Sequence, residues 1–324
     1  MQEELFSVQY AILPETVEDR FALRQNGRSA LLCVTDGCGG LGSRRYPELG
    51  NRTGASLAAE LAADAVEKWW QGIDQLPITR EAGEDFRRQL AEKLYEALTG
   101  FAMAHPQTGS RIVGSMQREL PTTLCMALTA PENEGRRQVC FLWAGDSRGY
   151  VLNRQGLHQC TRDHLRGGAD PLFSLYRDAP LGNLICAGRM PQLSMRRLTV
   201  QEPCFVLTAT DGVFGGLRTP MEMEMLLIDT LLAAKTQEGW KRKLNTLLRK
   251  TSGDDATLLC QACGFEDFAA MQQLMAPRRV ELQKQFITPV RRNRTQMDFV
   301  EKRWQDYRAG YDWMEGRQDE DWCL

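Results

Sequence analysis

Apolar residues along this chain recur in two rhythms. Between residues 4 and 36 they form short β-rich runs, LFSVQYAIL, EDRFALR and SALLCVT, separated by ETV and QNGR. Within Gln25-Asn26-Gly27-Arg28, Asn-Gly tolerates the positive φ of a tight turn and predicts a hairpin. The period then changes. Leu57, Ala58, Leu61, Ala62, Ala65 and Trp69 repeat at helical spacing and predict a helix over 52–71. Phe86, Leu90, Leu94, Leu98 and Phe101 predict a second over 80–104, before a loop at 105–120. Strands resume with TTLCMALTA, QVCFLWAG, YVLNRQ and LHQCT, and residues 165–185 read as irregular. The strand CFVLTAT covers 204–210, helices fit 220–235 and 237–250, and a last strand, ATLLCQACG, covers 256–264. Hairpins dominate the connections, so the pattern predicts an α+β domain with antiparallel sheets. Residues 265–324 carry 10 Lys+Arg, 11 Asp+Glu and two isolated prolines, Pro277 and Pro289, and read as two or three solvated helices.

Composition narrows the class. The 324 residues hold 40 Lys+Arg against 42 Asp+Glu, a net charge of −2, which gives no global attraction to nucleic acid or an anionic membrane. No apolar run reaches the roughly 18 residues of a spanning helix. MQEELFSVQY lacks the basic-then-apolar layout of a signal peptide. Ten cysteines are too few for a disulfide scaffold of this length. The expectation is a cytoplasmic protein with reduced thiols and no nucleic-acid or membrane partner.

Three acidic positions share a context. Asp36 closes ALLCVT before Gly37, Asp211 closes CFVLTAT before Gly212, and Asp254 and Asp255 open ATLLCQA. Each alone could be a turn former, because Asp-Gly is a common turn dipeptide. Three of them beside similar apolar strands can instead be aimed into one cleft, where mutual repulsion calls for cations. Oxygen-only ligands suit Mg²⁺ or Mn²⁺. Other motifs fail on context. Gly37–Gly42 matches GxGxxG, but no helix opens inside it. Gly145–Gly149 matches GxSxG around Ser147, but a strand follows where a nucleophile elbow needs a helix. Cys260 and Cys263 lie in one strand, on opposite faces, and have no second pair to complete a zinc site.

Taken in order, DGCGG at 36–40, GAS at 54–56, TTL at 122–124, GDSRGY at 145–150, TRDH at 161–164, LG at 181–182, LTATDGVFGG at 207–216 and GDDAT at 253–257 resemble the metal-dependent protein phosphatases of the 2C type (the PPM family), bacterial-type members in particular. Glu18-Asp19 matches that family's early acidic pair. The resemblance implies a sandwich of two antiparallel sheets flanked by helical pairs, with two Mn²⁺ or Mg²⁺ ions in a cleft. It places Asp36 as the bridging ligand and the Gly37 carbonyl on one ion. Asp211 and Asp254 go to the other, and Glu18 and Asp19 act through water. Asp146 is implied at a third, weaker ion, and Asp163, ranked lower, as a support behind the ligands. The implied reaction is hydrolysis of phosphoserine or phosphothreonine on a protein by a hydroxide bridging the ions; the alternative is a weakly active or inactive binding module on the same fold. Pro14 stands where the family usually has a phosphate-gripping Arg, which leaves Arg44 and Arg45 as candidates. The matched part ends near Gly264, so the reading divides the chain into a catalytic domain, 1–264, and a helical appendage, 265–324. There Trp304, Tyr307, Tyr311 and Met314 share one helical face. That stripe either packs on the catalytic domain or docks a protein partner through residues 290–324.

Overall fold

The computed structural model describes residues 4–106, 118–133, 135–168, 170–176, 179–312 and 322–323. In chain order its strands and helices are β1 (Glu4–Tyr10), β2 (Asp19–Asn26), β3 (Ser29–Asp36), the short pair β4 (Arg45–Tyr46) and β5 (Arg52–Thr53), α1 (Gly54–Trp70) and α2 (Arg80–Ala104). Next come β6 (Leu124–Asn133), β7 (Arg136–Ala144), β8 (Arg148–Asn153), β9 (Gly156–Gln159), β10 (Ser194–Gln201) and β11 (Cys204–Ala209). The last are α3 (Pro220–Leu232), α4 (Gln237–Thr251), β12 (Ala256–Cys263), α5 (Phe268–Leu282), α6 (Thr288–Arg292), α7 (Met297–Tyr311) and β13 (Trp322–Cys323).

Two antiparallel sheets form the centre, one ordered β1-β12-β11-β8-β9 and the other β13-β10-β7-β6-β3-β2. Alternating side chains divide each strand between two apolar layers. Leu32, Phe141, Trp143, Val206 and Leu259 fill the space between the sheets. Opposite-facing residues of the second sheet, such as Leu31, Met126 and Leu142, meet α1 and α2. Those of the first sheet meet α3, α4, α5 and α7. This is the expected αββα sandwich. Cys260 and Cys263 fall in different layers, as their odd spacing predicts. The Asn26-Gly27 turn closes the β2–β3 hairpin with Gly27 at φ 58°. No helix among the described residues is long and apolar enough to cross a membrane.

The C-terminal helices depart from the solvated reading. Met271, Met275, Leu282, Phe286, Val300, Trp304, Tyr307 and Tyr311 are buried in one core with β11 and β12. A helix there needs few apolar positions to dock, because its charged residues pair locally or point outward. The aromatic stripe is therefore spent inside the protein, with Trp304 0%, Tyr307 5% and Tyr311 1% exposed. It offers no free face to a partner; Met314 lies outside the described residues.

Candidate active site

Strand ends carry the acidic residues to one edge of the sandwich. β2 and β3 pair with Asp19 directly opposite Asp36. The Asp36 backbone is clamped by the TTL segment, since its carbonyl accepts from Thr123 N–H at 2.7 Å and from Thr122 Oγ1 at 2.9 Å. Asp211 follows β11 and opens a short 3₁₀ turn. The glycine after each aspartate is there for space. A Cβ on Gly37 would lie 2.4 Å from the Ala55 carbonyl oxygen, and one on Gly212 would lie 1.9 Å from that of Asp255. Neither glycine has positive φ, so neither is needed for backbone freedom. Any side chain would push β3 off the start of α1, or the Asp211 turn off β12.

Asp19 is fully buried and joins the two sheets. Its Oδ2 accepts from Thr210 Oγ1 at 2.8 Å and Thr257 Oγ1 at 2.7 Å, while Oδ1 has no hydrogen-bond partner among the described residues. Glu18 Oε1 accepts from Thr53 Oγ1 at 2.6 Å, and Thr53 also caps α1 by accepting from Ser56 N–H. Ser56 in turn donates to the Val17 carbonyl, so the GAS segment fixes the chain at the acidic pair.

The Asp211 carboxyl is raised to about 6, by burial first and by repulsion from Asp254. Burial, then repulsion from Asp211, Asp19, Asp146 and Asp254, holds the Asp36 carboxyl far above the usual range. Burial first, with Asp211 and Asp163 adding repulsion, raises Asp146 to about 7. Burial raises Asp19 to about 8 against the two threonine bonds. Glu18 is raised chiefly by burial and is lowered by the nearby charge of Arg45. Six carboxyls, of Glu18, Asp19, Asp36, Asp146, Asp211 and Asp254, are thus electrostatically in touch, with Asp163 beside Asp146. Among the described residues, however, no three acidic, histidine or cysteine side chains close round a single point. What they offer an ion is an oxygen-only donor set with excess negative charge and an orphaned buried oxygen on Asp19. That fits a hard divalent cation.

The cation that sequence reasoning overlooked is Arg148. It is 1% exposed and forms a bidentate pair with Asp163 at 2.7–3.1 Å. It also donates to Ser174 Oγ at 2.7 Å and lies 4.0 Å over the Phe214 ring. Arg148 and Asp163 sit in GDSRGY and TRDH, and their joint presence was the available signal. Asp163 is held by Arg148 and, at 3.1 Å, by Gln159, behind the acidic residues of the cleft. With Asp146, Asp211 and Tyr176 these residues line a cleft of about 310 Å³. Larger cavities, about 680 Å³ between α3 and α4 and about 880 Å³ beside α2, contain none of the six carboxyls.

Asp254 is exposed at the start of β12, its Oδ1 accepting from Asp255 N–H at 2.8 Å. Asp255 holds the N-terminal segment, accepting from Ile12 and Glu18 N–H at 2.9 Å each. Arg44 and Arg45 are exposed; Arg45 donates to the Asn51 carbonyl at 2.8 Å. Ser147 is buried and bonded to Thr123 Oγ1 at 2.8 Å, which ends the serine-nucleophile reading.

The model of the family "Protein phosphatase 2C" matches residues 15–249. The chain belongs to the protein phosphatase 2C family. It is accordingly a protein phosphatase, of a family that works with manganese or magnesium. No curated protein matches it significantly. Among solved structures it resembles the serine/threonine phosphatase Stp1 from Staphylococcus aureus, at TM-score 0.59 and 18% identity over 82% of this chain and 96% of that one. The S. agalactiae serine/threonine phosphatase matches at TM-score 0.57 and 15% identity, over 82% of this chain and 100% of that one. The catalytic domain of PstP, solved with 2 manganese ions, matches at TM-score 0.55 and 17% identity, over 80% and 97%. At these identities the structures speak for the fold alone. The family match stops before β12 and α5–α7.

Proposed function

We propose that this protein hydrolyses phosphoserine and phosphothreonine on proteins, with two Mn²⁺ or Mg²⁺ ions held by Asp36, the Gly37 carbonyl, Asp211 and Asp254. The carrying observation is the mutual charge of the cleft. Asp36, Asp146, Asp211 and Asp254 lie in one field, and Arg148 is the buried cation beside them among the described residues. Bound divalent ions lower the pKa of water and offset charge on phosphoryl oxygens. The protein's share is orientation. Thr122 and Thr123 lock the Asp36 backbone, and Thr210 and Thr257 lock Asp19 so that Oδ1 can align a water. Glu18, held by Thr53, supports the Gly37 side of the site. Asp146 is available to a third, weaker ion. The raised Asp36 and Asp211 carboxyls must be ionised to take up an ion, so metal affinity rises with pH.

Phosphate is gripped from the loop after DGCGG. Arg45 supports this, since its charge reaches Glu18, whereas Pro14 is an exposed residue of a short 3₁₀ turn. The test is hydrolysis of an aryl phosphate and a phosphothreonine peptide. Turnover should require Mn²⁺ or Mg²⁺ and disappear in Asp36→Ala; full turnover in excess chelator would refute the reading. Metal binding with no turnover on any phosphopeptide would favour the alternative that Pro14 motivates, a binding module with a damaged phosphate grip.

A further inference from the structure

A second pocket, of about 270 Å³, adjoins the catalytic cleft, and Tyr176 lines both. The Tyr176 hydroxyl donates to the Arg218 carbonyl at 2.7 Å, which fixes the wall between them. Thr219 forms the floor. It is 1% exposed and stands at the N-cap of the thirteen-residue helix α3, yet makes no side-chain cap bond. Its Oγ1 has no hydrogen-bond partner among the described residues. Arg218, Arg291 and Arg294, all exposed, line the same pocket, and none forms an ion pair with a described residue. The single carboxylate there, Glu222, is engaged by the Arg218 N–H at 2.9 Å. Val290 and Val300 supply an apolar wall.

We propose that this pocket binds an anionic side chain of the substrate, a carboxylate or second phosphoryl group near the phosphoserine or phosphothreonine being hydrolysed; this rests on the phosphatase reading above. Three guanidinium groups outnumber one carboxylate, and guanidinium matches carboxylate and phosphate in bidentate fashion. The positive end of α3 adds to the attraction, and the idle Thr219 hydroxyl supplies a donor. Arg291 lies on α6 and Arg294 in the turn after it, both beyond the family match at 15–249. The C-terminal segment thus contributes substrate selection at the mouth of a family cleft.

The test compares two phosphothreonine peptides on the full chain with Mn²⁺, one carrying flanking Glu and phosphoserine, the other Gln and Ser at those positions. The acidic peptide should show a KM lower by about fivefold at low ionic strength, an advantage that shrinks with salt. Arg291→Ala with Arg294→Ala should abolish the difference, and Arg294→Gln alone should reduce it. Equal KM values in the natural chain, or an advantage that survives the double substitution, overturn the proposal. Failure of the natural chain to hydrolyse an aryl phosphate would instead sink the phosphatase reading. In that event fluorescence anisotropy of both labelled peptides decides the pocket: preference for the acidic peptide, lost in the double variant, supports it, and absence of preference refutes it.

Discussion

Asp36 in the cleft and Glu224 beneath the C-terminal helices are both carboxylates drawn into the protein, and their neighbours differ completely. Glu224 is 0% exposed, held by Arg278 at 2.7 and 3.2 Å and by the Tyr307 hydroxyl at 2.6 Å. Asp36 faces the like charges of Asp19, Asp146, Asp211 and Asp254. A fully paired buried carboxylate is evidence of architecture. One surrounded by its own sign costs stability and is tolerated for what it binds.

The comparison breaks most readily at Asp36. Asp36→Ala should cut phosphatase turnover about a thousandfold or more, since metal charge stabilisation is worth several kcal/mol. It should not lower the thermal midpoint of the metal-free protein, because it relieves repulsion; a clear drop on calorimetry would show that Asp36 is structural. Glu224→Ala should do the reverse. Breaking a buried pair costs about 3–5 kcal/mol, read from the denaturant midpoint, because Arg278 and Tyr307 lose their partner.

Asp170 lies between the two regions. Its Oδ2 accepts from Arg308 at 2.8 Å and Trp304 Nε1 at 3.3 Å of α7, while Oδ1 accepts from Leu172 and Phe173 N–H. That turn presents Ser174 to Arg148 in the cleft. Asp170→Ala should cost roughly 1–2 kcal/mol of stability and also lower kcat. Unchanged kcat would show that the C-terminal helices brace the fold without reaching the site.

The smallest expected effect is on pH dependence. The raised carboxyls keep protons in the folded, metal-free chain that the unfolded chain has released. Stability therefore falls as pH rises toward about 7 and 8, the values at Asp146 and Asp19. Between pH 6.5 and 8 the metal-free midpoint should decline and the gain on adding Mn²⁺ should grow. His164, lowered by burial, titrates on the acid side of this window. A flat profile would mean that the cleft carboxyls do not share a field.

Much of this was legible because periodicity and turn chemistry are local. The second helix runs Arg80–Ala104, as its Leu and Phe spacing predicts. β10 was not legible: Arg196 and Arg197 in mid-strand disguise it, yet both are buried, with Arg197 paired to Glu132 at 2.9 Å. The solvated reading of residues 265–312 failed for a related reason, since charge counts do not reveal which charges find partners inside.

By itself the sequence determined most of the elements, the acidic strand ends and their order, because these depend on residue type and short-range spacing. The tertiary structure alone decided which carboxyls would face one another without counter-charge and which would be neutralised. It paired Asp163 with Arg148 and Glu224 with Arg278 across long stretches of chain, and left Asp36 among its own kind. It also brought Arg291 and Arg294 beside a cleft built from residues far earlier in the chain. Electrostatic work depends on distance in space, and separation along the chain does not encode it.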